Sequence, residues 1–394
     1  MTPPATGRCC VSLSARPPGP GTARQLVEQA REALHGKPVD LALLLASTHA
    51  GRAVERIALQ VHELLQPRAL IGATGEGVIS DGLEYENEPA VALWAAHLPG
   101  ASARSFHLSH EDLERLDSPS GLHEHLGLDA GARPSFVLLA DPFSVDPLDV
   151  LQRFADAYPG RPVVGGMASG ASGPRQNAIV FDGQTLRHGL AGLALGAGVQ
   201  LQCVVSQGCR PIGQPWIITE GHCNVVQRLG GQTPLRVLRD LIESGSDEER
   251  DLMRRGLLIG FAFNEQRASF GRGDFLIRNL VRLDPDTGEL EINDYVRVGV
   301  TVQFHVRDAR SAQEELDEML AGAPRDAVGS LLFSCNGRGT RLFDQPHHDA
   351  QAVTRACPAP LAGLFCAGEI GPIGDRNFLH GHTASIGFIR TASA

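Results

Sequence analysis

Two histidines, two carboxylates, an arginine and a thiol lie within residues 360–385, where five glycines separate them. An apolar run leads into this stretch and another follows it, so the pattern predicts a strand, a glycine-rich loop and a second strand. Glycine allows backbone amides to approach a ligand closely, and loops on a rigid scaffold commonly carry binding groups. Glu369, His380 and His382 are therefore candidate ligand contacts; the alternative is a tight turn whose histidines bind the backbone.

His380 and His382 are also the candidates for a metal site, because histidine ligates zinc and haem iron. In an extended segment the two side chains lie on one face. Zinc needs further ligands, and the other candidates have no fixed spacing to the pair: His347, His348, Asp349 and Asp375. Loop histidines that form hydrogen bonds are the favoured interpretation, so no metal site is predicted.

A second cluster follows another predicted strand in the run Ser334-Cys-Asn-Gly-Arg-Gly-Thr-Arg. The backbone amides of Asn336, Gly337 and Gly339 can form a concave anion-binding site. Arg338 can add two hydrogen bonds to a carboxylate or phosphate. A glycine turn with a solvated arginine explains the same residues, since Gly-x-Gly alone is a weak signal.

Cys335, at the end of that strand, is a candidate thiol nucleophile, with His380 or His382 as its base. Free cysteine is usually a small buried hydrophobe, so this enzyme interpretation ranks below ligand binding, and Cys335 is predicted as a ligand contact. Glu76 follows a glycine at the end of a strand, as Glu369 does. The two carboxylates could do acid/base work, but ligand contact is favoured for both, and no catalytic residue is predicted.

The composition excludes several classes of protein. A net charge of -10 argues against a nucleic-acid partner. No apolar run reaches the roughly 18 residues that a membrane span needs, and the start lacks a basic region before an apolar segment, which predicts a cytoplasmic protein. Eight cysteines without a Cys-x-x-Cys pair predict reduced thiols. Lys37 is the only lysine, so P-loop and Schiff-base chemistry lack their central residue.

The elements that must position these residues follow from the hydrophobic pattern. An apolar run at 39–46, interrupted by Asp40, predicts a buried strand, 53–65 predicts an amphipathic helix, and a strand from 69 ends in Gly72-Ala-Thr-Gly-Glu. The acidic residues at 84–88 predict a loop. The same order recurs later in the chain, at 135–140, 146–158 and 162–164. A weaker echo begins at 257 and includes a long hairpin region predicted at 275–306. We predict an α/β fold of two related layers with mixed sheets, built by internal duplication of strand-helix-strand-glycine loop-strand units.

Residues 1–25 predict a short strand followed by a Pro/Gly linker. Thr233 and Pro234 form a cap and first turn for a helix, so a second domain opens near Gly221. The predicted domains are therefore 26–221 and 222–390.

Five short blocks in this order resemble the FIST (F-box and intracellular signal transduction) family, over nearly the whole chain. They are Ile71-Gly-Ala-Thr-Gly-Glu-Gly, Ser206-Gln-Gly-Cys-Arg-Pro-Ile-Gly, Phe333-Ser-Cys-Asn-Gly-Arg-Gly, Leu361-Ala-Gly-Leu-Phe-Cys-Ala-Gly-Glu-Ile-Gly-Pro and Leu379-His-Gly-His-Thr-Ala. The resemblance implies an N-terminal and a C-terminal FIST segment. Its second block adds Cys209 and Arg210 to the predicted ligand-binding residues.

The resemblance also implies a sensory function, in which a small ligand, usually proposed to be an amino acid, is bound and its presence is passed on. Without an F-box-like extension, the chain looks like a bacterial-type sensor that signals through a separate partner such as a histidine kinase or a cyclase. Some similar proteins are described as haem proteins that sense nitric oxide. Haem is therefore the alternative cofactor, with His380 and His382 as candidate ligands, and no cofactor is otherwise predicted.

Overall fold

The computed structural model describes residues 7–267 and 269–391. The described residues up to Val205, together with Met319–Leu379 and those from Thr383 onward, form one compact unit. Ser206–Glu318 and His380–His382 form a second unit. We call these the first and the second unit, and each is described by itself.

Nine α-helices occur in the described residues, and several begin where the sequence supplies a cap. The Asp146 side chain accepts hydrogen bonds at the start of α5, and Thr233 does so for α6, each just before a proline. None of the described helices is both long and apolar enough to cross a membrane. The helices are α1 Thr22–Ala33, α2 Ala53–Leu65, α3 His110–Arg115, α4 Pro119–Leu126, α5 Pro147–Ala157, α6 Pro234–Ser244, α7 Asp247–Arg255, α8 Ala309–Leu320 and α9 His348–Ala356.

The strands before the first barrel strand, β14, are β1 Arg8–Ser14, β2 Leu41–Ser47, β3 Ala69–Gly75, β4 Gly77–Ser80, β5 Leu83–Glu86, β6 Val91–His97, β7 Ala103–Leu108, β8 Ser135–Ala140, β9 Val163–Met167, β10 Ile179–Phe181, β11 Gln184–Leu186, β12 Leu190–Leu195 and β13 Val199–Gln207. The later strands are β14 Cys209–His222, β15 Val225–Leu229, β16 Leu257–Ala262, β17 Phe275–Leu283, β18 Leu290–Ile292, β19 Thr301–Arg307, β20 Gly329–Cys335, β21 Leu361–Cys366, β22 Glu369–Ile373, β23 Arg376–His380 and β24 Thr383–Thr391.

Three six-stranded sheets carry the fold outside the barrel. Their strand orders are β1-β6-β2-β3-β10-β11, β23-β22-β9-β8-β12-β7 and β13-β24-β20-β21-β4-β5. Each sheet contains parallel and antiparallel pairs, which confirms the predicted α/β class with mixed sheets. Trp94, Leu139 and Phe333, one from each sheet, belong to a single buried cluster, so the three sheets share a core.

The same local arrangement recurs in the three sheets. In each, a strand, a helix and a parallel strand follow one another, as β2-α2-β3, β8-α5-β9 and β20-α9-β21. A leucine of the first strand lies opposite a glycine of the second in every case: Leu44 and Gly72, Leu138 and Gly165, Leu332 and Gly363. This shared register agrees with the predicted duplication, whose origin stays a prediction.

In each repeat, the hairpin that follows the second parallel strand pairs with a strand of another repeat's sheet. Hairpin β4–β5 follows β3 but pairs with β21, and hairpin β10–β11 follows β9 but pairs with β3. Hairpin β22–β23 follows β21 but pairs with β9. The exchange is cyclic, so each of the three sheets is completed by another repeat.

Two predicted loops are strands in the structure. The glycine-rich loop predicted between the apolar runs of residues 360–385 contains β22 and β23, and the acidic loop predicted at 84–88 overlaps β5. Both belong to exchanged hairpins, whose pairing partners are distant in sequence. The loop predictions were wrong because they rested on Gly, Pro and acidic residues, which are in general depleted in strands.

The second unit contains a closed barrel with the strand order β14-β15-β18-β17-β16-β19. Its apolar core includes Ile218, Ile259 and Phe304, with α6 packed against it through Val237 and Leu238. Closure leaves no open edge in the barrel. The long hairpin predicted at 275–306 overlaps three of the barrel strands, β17, β18 and β19, but the sequence did not predict a closed barrel.

Candidate functional site

Several strand ends of the first unit meet at a place that we call the loop junction, formed by residues 75–76, 167–169, 335–336 and 365–369. Ser169, which is buried, holds it together. Its Oγ accepts a hydrogen bond from the Glu76 amide at 2.8 Å and donates one to the Phe365 carbonyl at 2.6 Å. Asn336 Oδ1 lies 3.2 Å from the same Oγ. The junction thus joins loops of all three repeats.

Glu369 is fully buried at this junction. Its Oε2 accepts hydrogen bonds from the Thr383 amide at 3.1 Å and the Thr383 hydroxyl at 2.8 Å, and the Cys335 thiol donates to the same carboxyl. Burial raises the pKa of Glu369 to about 8, although these hydrogen bonds and the charge of Arg338 act in the opposite direction. At neutral pH Glu369 is mainly a carboxylic acid, which can donate a hydrogen bond as well as accept one.

We expect Glu369→Gln to flatten the pH dependence of stability. The folded-state pKa of about 8 lies above the ordinary value of 4.5, so folding takes up a proton between these values. This stabilisation is complete below about pH 4.5 and is lost as the pH rises to about 8. Urea titrations from pH 5.5 to 8.5 should show the wild-type free energy of unfolding falling, relative to Glu369→Gln, by on the order of 1 kcal/mol per pH unit.

The matched control is Glu111→Gln, because Glu111 is 79% exposed and its ion pair with Arg115 lies at the surface. This variant should follow the wild-type curve. Parallel curves for wild type and Glu369→Gln would show that Glu369 is ionised in the folded state.

Arg338 is also buried, and its guanidinium holds Asp349 through two hydrogen bonds, from Nε to Oδ2 at 2.6 Å and from Nη2 to Oδ1 at 2.8 Å. Ser334 donates to the same carboxylate at 3.1 Å. Burial alone would raise the pKa of Asp349, but the charge and hydrogen bonds of Arg338 hold it well below its usual range. The aromatic ring of Phe343 lies 5.3 Å from the guanidinium carbon. The predicted ligand arginine thus has a protein carboxylate as a partner.

A second buried acid lies beside this ion pair. Burial, and next the negative charge of Asp349, raise the pKa of Glu84 to about 8. Its Oε1 accepts the Ala350 amide at 2.9 Å, at the start of α9. One ionised and one protonated carboxyl therefore share this pocket, because burying two negative charges together is costly.

Arg341 and two acids line the exposed side of the loop junction. The Arg341 guanidinium pairs with Glu76, at 3.1 Å for Nη1 and Oε2, and donates to the Asn336 carbonyl at 2.9 Å. Hydrogen bonding to Glu76 raises the pKa of Arg341. Glu86 accepts hydrogen bonds from the Thr340 amide, at 2.9 Å, and hydroxyl.

A cavity of about 10 Å³ lies between Glu76, Glu86, Asn336 and Arg341. This is the space of about one water molecule. A larger ligand would need the Glu76–Arg341 pair to open. Arg341 is half-exposed, and its polar contacts here include the ion pair with Glu76 and the hydrogen bond to the Asn336 carbonyl, so opening requires the exchange of polar contacts near the surface.

The other predicted contacts belong to the second unit. Cys209 is buried, and Arg210 lies between two acids, 3.4 Å from Asp308 Oδ2 and 3.6 Å from Glu249 Oε1. His380 is buried, and His382 Nε2 lies 3.0 Å from Asn279 Oδ1. The prediction that these residues bind the ligand stays a prediction.

The haem and metal alternatives depend on side chains that could ligate a metal ion. Among the described residues, no three His, Cys, Asp or Glu side chains are placed to hold a metal ion. An apolar cavity of about 520 Å³ in the second unit is lined by aliphatic side chains, two arginines and a glutamate, without a histidine, cysteine, methionine or tyrosine to bind iron. This cavity does not fit haem.

Within the first unit the structure brings Glu76, Cys335, Asn336 and Glu369 together at the loop junction. For the thiol prediction, the structure adds two hydrogen bonds of Cys335: its thiol donates to Glu369, and its Sγ accepts the Gly337 amide at 3.4 Å. The sequence analysis missed Ser169 and Arg341. Arg341 ends the run that was singled out as an anion site, whereas Ser169 carries no local signal because its three partners are distant in sequence.

Comparison with known proteins gives two family matches. Residues 40–232 match the FIST N domain and residues 234–372 match the FIST C domain. The matches meet between residues 232 and 234, whereas the compact units divide the chain differently. The predicted domains 26–221 and 222–390 therefore stay a prediction.

Close relatives are found in mycobacteria. The chain is 41% identical over 385 residues to the uncharacterized protein Rv0628c of Mycobacterium tuberculosis, covering 96% of this chain and 98% of the relative. It is 40% identical over the same length and coverage to the uncharacterized protein Mb0898c of Mycobacterium bovis. A crystal structure of cyanuric acid hydrolase from A. caulinodans, 9% identical, covers 98% of this chain and 100% of that chain at a TM-score of 0.34, which supports no inference.

Proposed function

Because the chain belongs to the FIST family, whose domains are signal-transduction sensor modules, we propose that it binds a small ligand, an amino acid or another small carboxylate, in the cytoplasm. It then signals through a separate partner such as a histidine kinase or a cyclase. The main observation in support is the Glu76–Arg341 pair at the loop junction, where a cation and an acid line a small cavity.

A carboxylate ligand can take the place of Glu76 on Arg341. The exchange replaces one charge-assisted hydrogen-bonded pair with another of the same kind, so little electrostatic energy is lost. Glu76 is then available, with Glu86, for a ligand's amino group. An amino acid offers both charges, and this double complementarity supports it over a simple anion.

Ligand binding would also affect other loops of the first unit, because hydrogen bonds connect them to the site. The Glu76 amide is held by Ser169, and the Asn336 carbonyl is held by Arg341. A ligand that separates Arg341 from Glu76 therefore acts on loops that belong to different repeats. A shift of these loops is the change that a partner protein would detect.

The proposal is tested by a thermal-shift screen over amino acids and small carboxylic acids. A ligand present at 100 times its dissociation constant should stabilise the protein by about 2.7 kcal/mol. Arg341→Ala should abolish this stabilisation, because the carboxylate loses its cation. Arg115→Ala is the matched control, since Arg115 is also a surface arginine paired with a glutamate, at 3.7 Å.

If no compound stabilises the wild type, or if both arginine variants respond equally, the proposed site is wrong. Arg338→Ala tests the earlier expectation that Arg338 holds the acid group. Loss of binding in Arg338→Ala with binding retained in Arg341→Ala would move the site from the Arg341 side of the junction to Arg338.

A further inference from the structure

An aliphatic cavity lies in the second unit between α6 and the barrel strands β16, β17 and β18. Its volume is about 520 Å³, within the range of small-molecule sites. Eight of its eleven lining residues are leucine, isoleucine or valine, and the other three are Arg239, Arg282 and Glu243. The lining thus combines apolar walls with charged groups and has no uncharged polar side chain.

A β-bulge shapes one wall. Four consecutive residues of β17, Leu280 to Leu283, line the cavity, although side chains of a regular strand alternate between two faces. The pairing of β17 with β18 shifts register between Leu280 and Arg282, which leaves Val281 as the extra residue. Bulges can re-aim a side chain in this way. Val281 is 57% exposed and lies on the cavity wall.

The lining carries two arginines and one glutamate, so its formal charge is positive. Arg282 is paired with Asp284 at 2.7 Å. Arg239 is exposed on α6, and among the residues that the structure describes it has no ion pair. Its neighbour Arg236 lies 3.9 Å from Asp240. Arg239 is therefore a cation at the cavity that an incoming carboxylate can reach.

The aliphatic walls of the cavity indicate which kind of molecule carries this carboxylate. An extended peptide would bring backbone amides that need partners, but β16, β17 and β18 are each paired on both sides in the closed barrel. An alkyl chain has no such groups, and its burial is favourable against aliphatic side chains. We propose that this cavity binds a linear aliphatic carboxylate of the medium-chain fatty acid class, with the alkyl chain among the leucines and the carboxylate on Arg239. The proposal does not rest on the proposed function, because it concerns other residues and another ligand.

The first test is calorimetric titration of the full chain with octanoate, decanoate and dodecanoate below their micelle concentrations. Each added methylene should tighten binding about fourfold while the chain still enters the cavity. Val281→Trp should weaken dodecanoate binding more than about tenfold, because the indole occupies the cavity. Val298→Trp is the matched control, since Val298 is equally exposed, at 59%, and does not line the cavity.

The second test separates the carboxylate from the chain. Arg239→Gln should weaken dodecanoate binding about fivefold and leave dodecanol binding unchanged, with Arg236→Gln as the control on the same helix. Absence of binding by all three carboxylates, equal effects of the two tryptophan variants, or binding of an amphipathic helical peptide in place of the carboxylates would each overturn the proposal.

Discussion

Replacing Asp349 by alanine is expected to lower the free energy of unfolding by about 3–5 kcal/mol. The substitution leaves the Arg338 guanidinium buried without the carboxylate that holds it by two hydrogen bonds. Both side chains are almost fully inaccessible, at 1% and 0% exposure, so water cannot replace the lost partner. The effect is measured by urea titration followed by far-UV circular dichroism.

Asp326→Ala is the control for this prediction. Asp326 also holds an arginine, Arg390, through two hydrogen bonds of 2.9 and 2.6 Å, but at the surface. Solvent screens such pairs, so its stability should change little. The double variant Arg338→Met with Asp349→Leu should recover much of the lost stability, because no buried charge remains. An equal effect of Asp349→Ala and Asp326→Ala would contradict the buried ion pair.

Replacing Gly363 by alanine is the second large expected effect. An added Cβ would lie 2.0 Å from the carbonyl oxygen of Leu332 on the neighbouring strand, so β20 and β21 would have to separate. We expect a loss of about 3 kcal/mol or more, since backbone atoms of two paired strands cannot yield as a flexible side chain can. Gly72→Ala should behave alike, because its Cβ would meet the Leu44 carbonyl oxygen at 2.0 Å.

Gly322→Ala is the matched control, since nothing lies within 4 Å of its added Cβ. Its melting temperature should stay close to that of the wild type. If Gly72→Ala and Gly363→Ala were as stable as Gly322→Ala, the parallel strands of the two repeats would not have the register described here.

Much of the secondary structure could be predicted from local pattern. The apolar stripe of residues 53–65 matches α2 at Ala53–Leu65, and the apolar run 135–140 matches β8 at Ser135–Ala140. These predictions are confirmed because a helix period of 3.6 and a fully buried strand both leave a clear trace in a single sequence. The hairpin β22–β23 has no such trace in the local sequence pattern, since its pairing partner β9 lies some two hundred residues away.

The candidate site was only partly predictable for a related reason. The run from Ser334 to Arg341 was singled out by its glycines and arginines, yet the roles of its two arginines depend on their neighbours. Arg338 is buried with Asp349, and Arg341 faces Glu76 near the surface. Residue type alone makes both arginines equal candidates for an anion.

The sequence by itself determined the α/β class, the FIST family, several helices and strands such as α2, α5 and β8, and the segments in which polar groups gather. The tertiary structure decided that three repeats exchange hairpins, that Ser169 joins their loops, and that Glu369 is mainly protonated at neutral pH. Local propensity and hydrophobic period depend on residues that are close in sequence, so they can be recognised from the sequence alone. Burial and strand pairing join residues far apart. Burial raises the pKa of Glu369, whereas the neighbouring Arg338 lowers that of the equally buried Asp349, so both depend on the tertiary structure.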